Sequence, residues 1–258
     1  MRKIMKYAVL RYSPSKIAGE AINLGIIFIG EKDEERVFAN IQKWNRVKNF
    51  DDEINLDMVK LLIDQIKDDV EGTLLNSRKP FELEQYVKNY VNEFSFGEIE
   101  RMPYESFNET KEQLKKLYLK FDFDKRMRLN KDEEKAIIEH VISGSGLSFK
   151  RKVTVTDDLT DTLVYDYMIG KYGIKFLNFD HKNLARMMQT VRSWAWICAN
   201  SHKIQPVIIL NYTDENDGKA EQQMKSVHRI LKSASQYVYS TEEGIAFINQ
   251  LESDTRLS

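Results

Sequence analysis

Asp166 is the one acid of this 258-residue sequence at a strand position that fits hydrolytic chemistry, and Lys175, on the partner run, comes too early to serve beside it. Asp166 lies in the run Thr162–Ile169 (TLVYDYMI). Lys175 lies in the partner run Ile174–Phe179 (IKFLNF), across the turn Gly170-Lys171-Tyr172-Gly173. Carboxylates can hold a divalent cation and a lysine can orient or activate water, so an acid and a lysine on adjacent strands are weighed for metal-assisted hydrolysis. The set is incomplete. One carboxylate holds Mg²⁺ poorly against its hydration shell. The second run supplies Phe176, Leu177, Asn178 and Phe179, and no acid. Asp180 follows it with no lysine two residues beyond. The expectation is no catalytic residue, no metal and no cofactor, with Asp166 and Lys175 paired across the hairpin as a structural ion pair.

A second group stands near the start: Arg11, Tyr12, Glu20 and Asn23. Arg11 and Glu20 flank a short loop and could form a charge-assisted pair. Asn23, inside an apolar run, needs a buried partner, and Gly25 lets a neighbouring group approach closely. These four residues are a candidate polar binding cluster. No nucleophile–base pair accompanies them. Arg192, Trp194 and Trp196 form a candidate interface. Residues two apart cannot share a helix face, so one Trp belongs to the core and the other is partly exposed. An exposed Trp beside Arg192 would anchor a partner. Asp157, Asp158 and Asp161 lack the spacing of a calcium loop and read as an exposed turn. Cys198 lies on an apolar stripe, and His202, four residues on, lacks a third, orienting group. The histidines at 140, 181, 202 and 228 share no ligand spacing.

The elements that must position these residues follow from periodicity. Residues 5–12, 20–30 and 36–41 are β-rich runs with short, turn-like connections, so antiparallel pairing is expected. Helices are expected over 57–70 (Val59, Leu62, Ile63, Ile66, Val70), over 81–94, and behind the capping spacing Ser106–Glu109 with Leu114, Leu117, Tyr118 and Phe121 inward. The polar stretch 124–130 (DKRMRLN) marks the boundary between residues 1–123 and 124–258. A helix over 131–142 ends at Ser143-Gly144-Ser145-Gly146, a joint or turn. Beyond it come strands at 153–156, 162–169, 174–179, 206–210 and 237–239, with helices over 182–200, 219–234 and 241–251. The fold class is α+β, a mixed α/β chain. A small antiparallel sheet with helices comes first, then a mixed sheet flanked by helices.

Charge narrows the functional classes. Thirty-nine Lys+Arg against 40 Asp+Glu leave a net charge of −1, without the overall basic excess of a dedicated non-specific nucleic-acid binder. The balance is blockwise. Residues 1–50 carry 10 basic and 5 acidic side chains, and residues 51–100 carry 5 and 13. A second basic excess lies at 111–152, the segment through which a nucleic acid would bind. One cysteine excludes an internal disulfide, and no apolar run reaches membrane-spanning length, so a cytoplasmic, membrane-free protein is expected.

The segment KYAVLRYSPSKIAGEAINLGIIFI, residues 6–29, resembles the family DUF3037, uncharacterised bacterial and phage proteins. It has the strand ending in Arg11-Tyr12, the loop Pro14, and Glu20, Asn23, Gly25 and Ile26, with Leu24 where the family usually has Val. Arg46, Phe50 and Lys116-Leu117 fit later parts, and the resemblance covers about the first 120 residues. The second half is similar to PD-(D/E)xK nuclease folds, with Asp166 at the first acidic position and the acid-x-Lys triplet missing. The resemblances imply a non-enzymatic protein-interaction factor of phage or mobile-element origin. It would bind and modulate, as an inhibitor would, a host or defence-system protein. The alternative is a metal-dependent nuclease or nucleic-acid-binding factor.

Overall fold

In the computed structural model, residues 3–15, 20–32, 35–72, 81–157, 160–179, 184–201, 203–211 and 218–257 are described. They fall into two units, Met1–Leu129 and Asn130–Ser258.

In the first unit the apolar runs become β1 (Lys3–Tyr12), β2 (Ile22–Ile29) and β3 (Arg36–Asn40), paired antiparallel in the order β3-β2-β1. The far side of β1 is shared by two short strands. β4 (Phe94–Phe96) pairs with Leu10–Tyr12, and β5 (Glu100–Tyr104) pairs with Lys3–Tyr7. Residues Tyr7 to Leu10 are buried without interruption, which explains a strand with no polar alternation. Four helices accompany the sheet: α1 (Asn45–Phe50), α2 (Leu56–Glu71), α3 (Leu83–Tyr86) and α4 (Phe107–Tyr118). α2 buries Val59, Ile63, Ile66 and Val70. The Asn55 side chain caps it by accepting the N–H groups of Asp57 and Met58 at 3.1 and 3.2 Å. At its other end the Glu71 carboxylate accepts the Phe38 N–H of β3 at 3.0 Å.

One expectation changes here. The helix read over 81–94 is only the single turn Leu83–Tyr86, followed by a 3₁₀ turn and β4. Tyr86 packs on Phe81 (4.9 Å between centroids) and on Tyr90 (5.4 Å), and Tyr90 packs on Phe96 (5.2 Å). The ring cluster bends the chain back into the sheet. The polar stretch from Asp124 to Arg128 is tied to the first unit. Asp124 pairs with Lys43 at 2.7 Å, and Arg128 Nε donates to the Phe123 carbonyl at 3.1 Å.

Asn130 opens the second unit with a capping box, its side chain on the Asp132 and Glu133 N–H groups and Glu133 returning to its own N–H. It starts α5 (Lys131–Gly144). The helix ends in a turn, where Ser145 Oγ donates to the Ile142 carbonyl at 2.9 Å and Gly146 takes φ +76°. Then come β6 (Phe149–Asp157), β7 (Thr160–Ile169), β8 (Tyr172–Asn178), α6 (Leu184–Asn200), β9 (Gln205–Asn211), α7 (Gly218–Ala234), β10 (Val238–Tyr239) and α8 (Thr241–Leu257). The sheet order is β10-β9-β8-β7-β6. β6, β7 and β8 are antiparallel hairpins, and β8, β9 and β10 run parallel through helical crossovers. Its core gathers Tyr165, Leu177, Val191, Trp194, Ile208, Val227, Leu231 and Val238. The fold is thus α+β, antiparallel in one unit and mixed in the other. Among the described residues no helix is long and apolar enough to cross a membrane.

Candidate functional site

In the second unit, strand irregularity singles out Asp166. The β7–β8 ladder pairs Tyr167–Ile169 with Tyr172–Ile174 and ends there. One residue further the Asp166 side chain replaces the ladder, with Oδ2 accepting the Phe176 N–H at 3.1 Å. On the other side of β7, the ladder to β6 pairs Arg151 with Tyr167 and Val153 with Tyr165. It steps over Lys152, whose φ is +48°, a left-handed conformation costly for a side-chain-bearing residue.

Two ammonium groups close on the Asp166 carboxylate. Lys135 of α5 donates to Oδ1 at 3.2 Å, and Lys175 Nζ lies 3.4 Å from Oδ2. Lys175 also donates to the Val164 carbonyl at 3.0 Å, and its Nζ sits 5.8 Å from the Trp194 ring centroid. Lys135 Nζ is 5.2 Å from the Phe176 ring. This donor set does not fit a divalent cation, because binding would put two cations beside a third and displace charge-assisted bonds. Among the described residues no group of three His, Cys, Asp or Glu side chains could hold a metal. Beside the site, burial and a hydrogen bond to Glu139 push the Tyr167 phenol well above its ordinary range, so it stays protonated. Sequence spacing flagged Asp166 and Lys175. It missed Lys135, which arrives from a helix 31 residues earlier.

In the first unit, Arg11, Tyr12, Glu20 and Asn23 do not close into one polar cluster. Arg11 and Asn23 are strand partners, just past a register irregularity. Asn23 turns its amide to the Tyr118 carbonyl at the end of α4, at 2.9 Å. Tyr12 is buried; its ring stacks on Phe94 at 4.8 Å and its hydroxyl donates to the Asp51 carboxylate. Burial and that bond raise the Tyr12 pKa, and the same bond lowers that of Asp51. Glu20 is exposed, and its backbone carbonyl accepts from Ser13 Oγ at 2.7 Å. Arg11 is exposed against Gly97 and has no ion pair among the described residues. The expected Arg11–Glu20 bridge is therefore corrected. Neighbouring strand residues point to opposite faces, so Arg11 and Tyr12 serve different surroundings. Gly25 does admit a close neighbour, since a Cβ there would stand 2.5 Å from the Phe38 ring.

On α6, Trp194 is buried edge-to-face on Tyr165 at 5.7 Å, while Trp196 is 46% exposed and Arg192 is exposed one turn before it. Burial pushes the Cys198 thiol up to about 11, which keeps it protonated and poorly nucleophilic. The side chains of Asp157 and Asp161, and Asp158, Asp180, His181 and His202 altogether, lie outside the described residues.

Residues 7–119 are similar to DUF3037. That family is described as a protein of unknown function. The DUF3037 match runs from Tyr7 in β1 to Leu119, directly after α4, and so includes Arg11, Tyr12, Glu20 and Asn23. Asp166, Lys175 and the tryptophans of α6 lie outside it. No curated protein and no solved structure matches the chain.

Proposed function

We propose that this chain is a non-enzymatic interaction factor that binds and modulates a protein of a host cell or its defence system, as phage and mobile-element proteins do. The observation that carries it is the Asp166 carboxylate, engaged by Lys135, Lys175 and the Phe176 N–H. The order α5-β6-β7-β8-α6-β9 and the placing of Asp166 and Lys175 on one hairpin support a nuclease-like layout. The two lysines answer its acid with positive charge instead of a second carboxylate, which favours binding over hydrolysis. Arg192 and the half-exposed Trp196 offer an anchor of the kind that dominates protein interfaces.

The test has two arms. The purified chain is incubated with DNA and RNA plus Mg²⁺ or Mn²⁺, and no cleavage is expected from it or from Asp166→Asn. In parallel, protein partners are captured from host extract with the native chain, Asp166→Asn and Trp196→Ala. Asp166→Asn should retain the captured partner and Trp196→Ala should lose it. Metal-dependent cleavage abolished by Asp166→Asn would instead establish the nuclease.

A further inference from the structure

The first unit brings together two basic segments that are far apart in sequence. The backbone N–H groups of Gln42 and Lys43 donate to one oxygen of Asp122, at 2.8 and 2.7 Å. Lys43 Nζ then pairs with Asp124 at 2.7 Å. These bonds lay the start of α1 against residues 120–128. The guanidinium of Arg46 lies over the Phe121 ring, 3.9 Å from its centroid, and that of Arg128 lies over the same ring at 5.0 Å. Residues 43–46 and 120–128 together carry six cations, Lys43, Arg46, Lys120, Lys125, Arg126 and Arg128, against Asp122 and Asp124. Counted over these two segments, the cations outnumber the carboxylates six to two. Trp44 and Phe123 are half-buried here, and Met127 is 57% exposed.

We infer that this surface binds single-stranded nucleic acid. A guanidinium packed over a ring is restrained in position and can still present N–H groups at its edge to a phosphate. Aromatic side chains interleaved with cations give bases a stacking platform, which an acidic protein surface would not use. The inference is independent of the proposed protein partner, because it uses none of Asp166, Arg192 or Trp196. It also puts nucleic acid on 43–46 and 120–128, of which only the second lies within the charge excess at 111–152.

The experiment measures fluorescence anisotropy of a labelled oligo(dT) and a labelled duplex of equal length, with the full chain, across a salt series. Preferential binding of the single strand is expected. Arg46→Ala/Arg128→Ala should weaken it by at least about tenfold and lower the slope of log K against log salt by about 1.4, as loss of two single-strand phosphate contacts requires. A second variant, Lys125→Glu/Arg126→Glu, alters exposed side chains with no role in the ring packing and should weaken binding similarly. Both variants are checked for unchanged unfolding midpoints. No binding at low salt, or binding unchanged in the exposed-loop variant, would overturn the inference. So would displacement of the oligonucleotide more readily by polyglutamate than by unlabelled strand, which would assign the surface to an acidic protein.

Discussion

Truncating Asp166 would leave three donors short of an acceptor. The Lys135 and Lys175 ammoniums can turn to water or, for Lys175, rely on the Val164 carbonyl. The Phe176 N–H cannot move, because the strand fixes it. Asp166→Ala is therefore expected to lower the unfolding free energy by about 1–3 kcal/mol in urea titration. Asp166→Asn keeps an oxygen facing that N–H and should cost less. Equal losses in both variants would place the stabilisation in the ion pairs instead. Tyr12 and Asp51 make a different statement, about pH. The Asp51 pKa is lowered in the folded chain, so its contribution is complete above the unfolded value of about 3.9 and is lost as pH falls through the folded one. The Tyr12 pKa is raised, so above about pH 10 the unfolded phenol ionises first and stability falls again. Tyr12→Phe removes both effects. The melting-temperature gap between native and Tyr12→Phe chains should be widest near neutrality and narrow toward pH 3, as followed by circular dichroism.

Packing of whole elements is governed by a few close approaches. In Gly25→Ala the new methyl would meet the Phe38 ring at 2.5 Å, and the ring is held between β3 and its neighbours. A loss of about 1–3 kcal/mol is expected. Phe38→Leu in the same chain should recover part of it, a coupling that a double-mutant cycle reads directly. Additive losses would mean that the ring gives way freely. The same scale shows what could be read in the sequence. β1 and β2 were legible because long stretches of both faces are apolar, and α2 because four buried residues keep helical spacing. β4 and β5 were not. They are three and five residues long, β5 contains Pro103, and each exists only because β1 offers it an edge. At the candidate site, alternation in a hairpin gave Asp166 and Lys175, while Lys135 and Asp51 come from other elements and leave no local pattern. The polar cluster failed for a related reason: Asn23 found its partner on α4, 95 residues away.

At the scale of the molecule, the chain divides between Leu129 and Asn130. Leu129 is buried, and Asn130 caps a new helix, so a cut there breaks neither core. Residues 1–129 and 130–258, expressed separately, should each fold and show a cooperative thermal transition. A fragment that stays unfolded while the full chain melts once would refute independent folding. The outer strand of the second unit has a further consequence, for keeping the protein in solution. β6 is an edge strand of nine residues, long enough to recruit another chain's backbone. Its first half carries the exposed run Lys150-Arg151-Lys152, and Lys152 is wound left-handed, so an approaching strand would meet charge and a local backbone irregularity together. The irregularity facing Asp166 thus also guards the edge against fibrillar growth, and straightening it with Thr or Val at 150 and 152 would trade solubility for a self-templating strand.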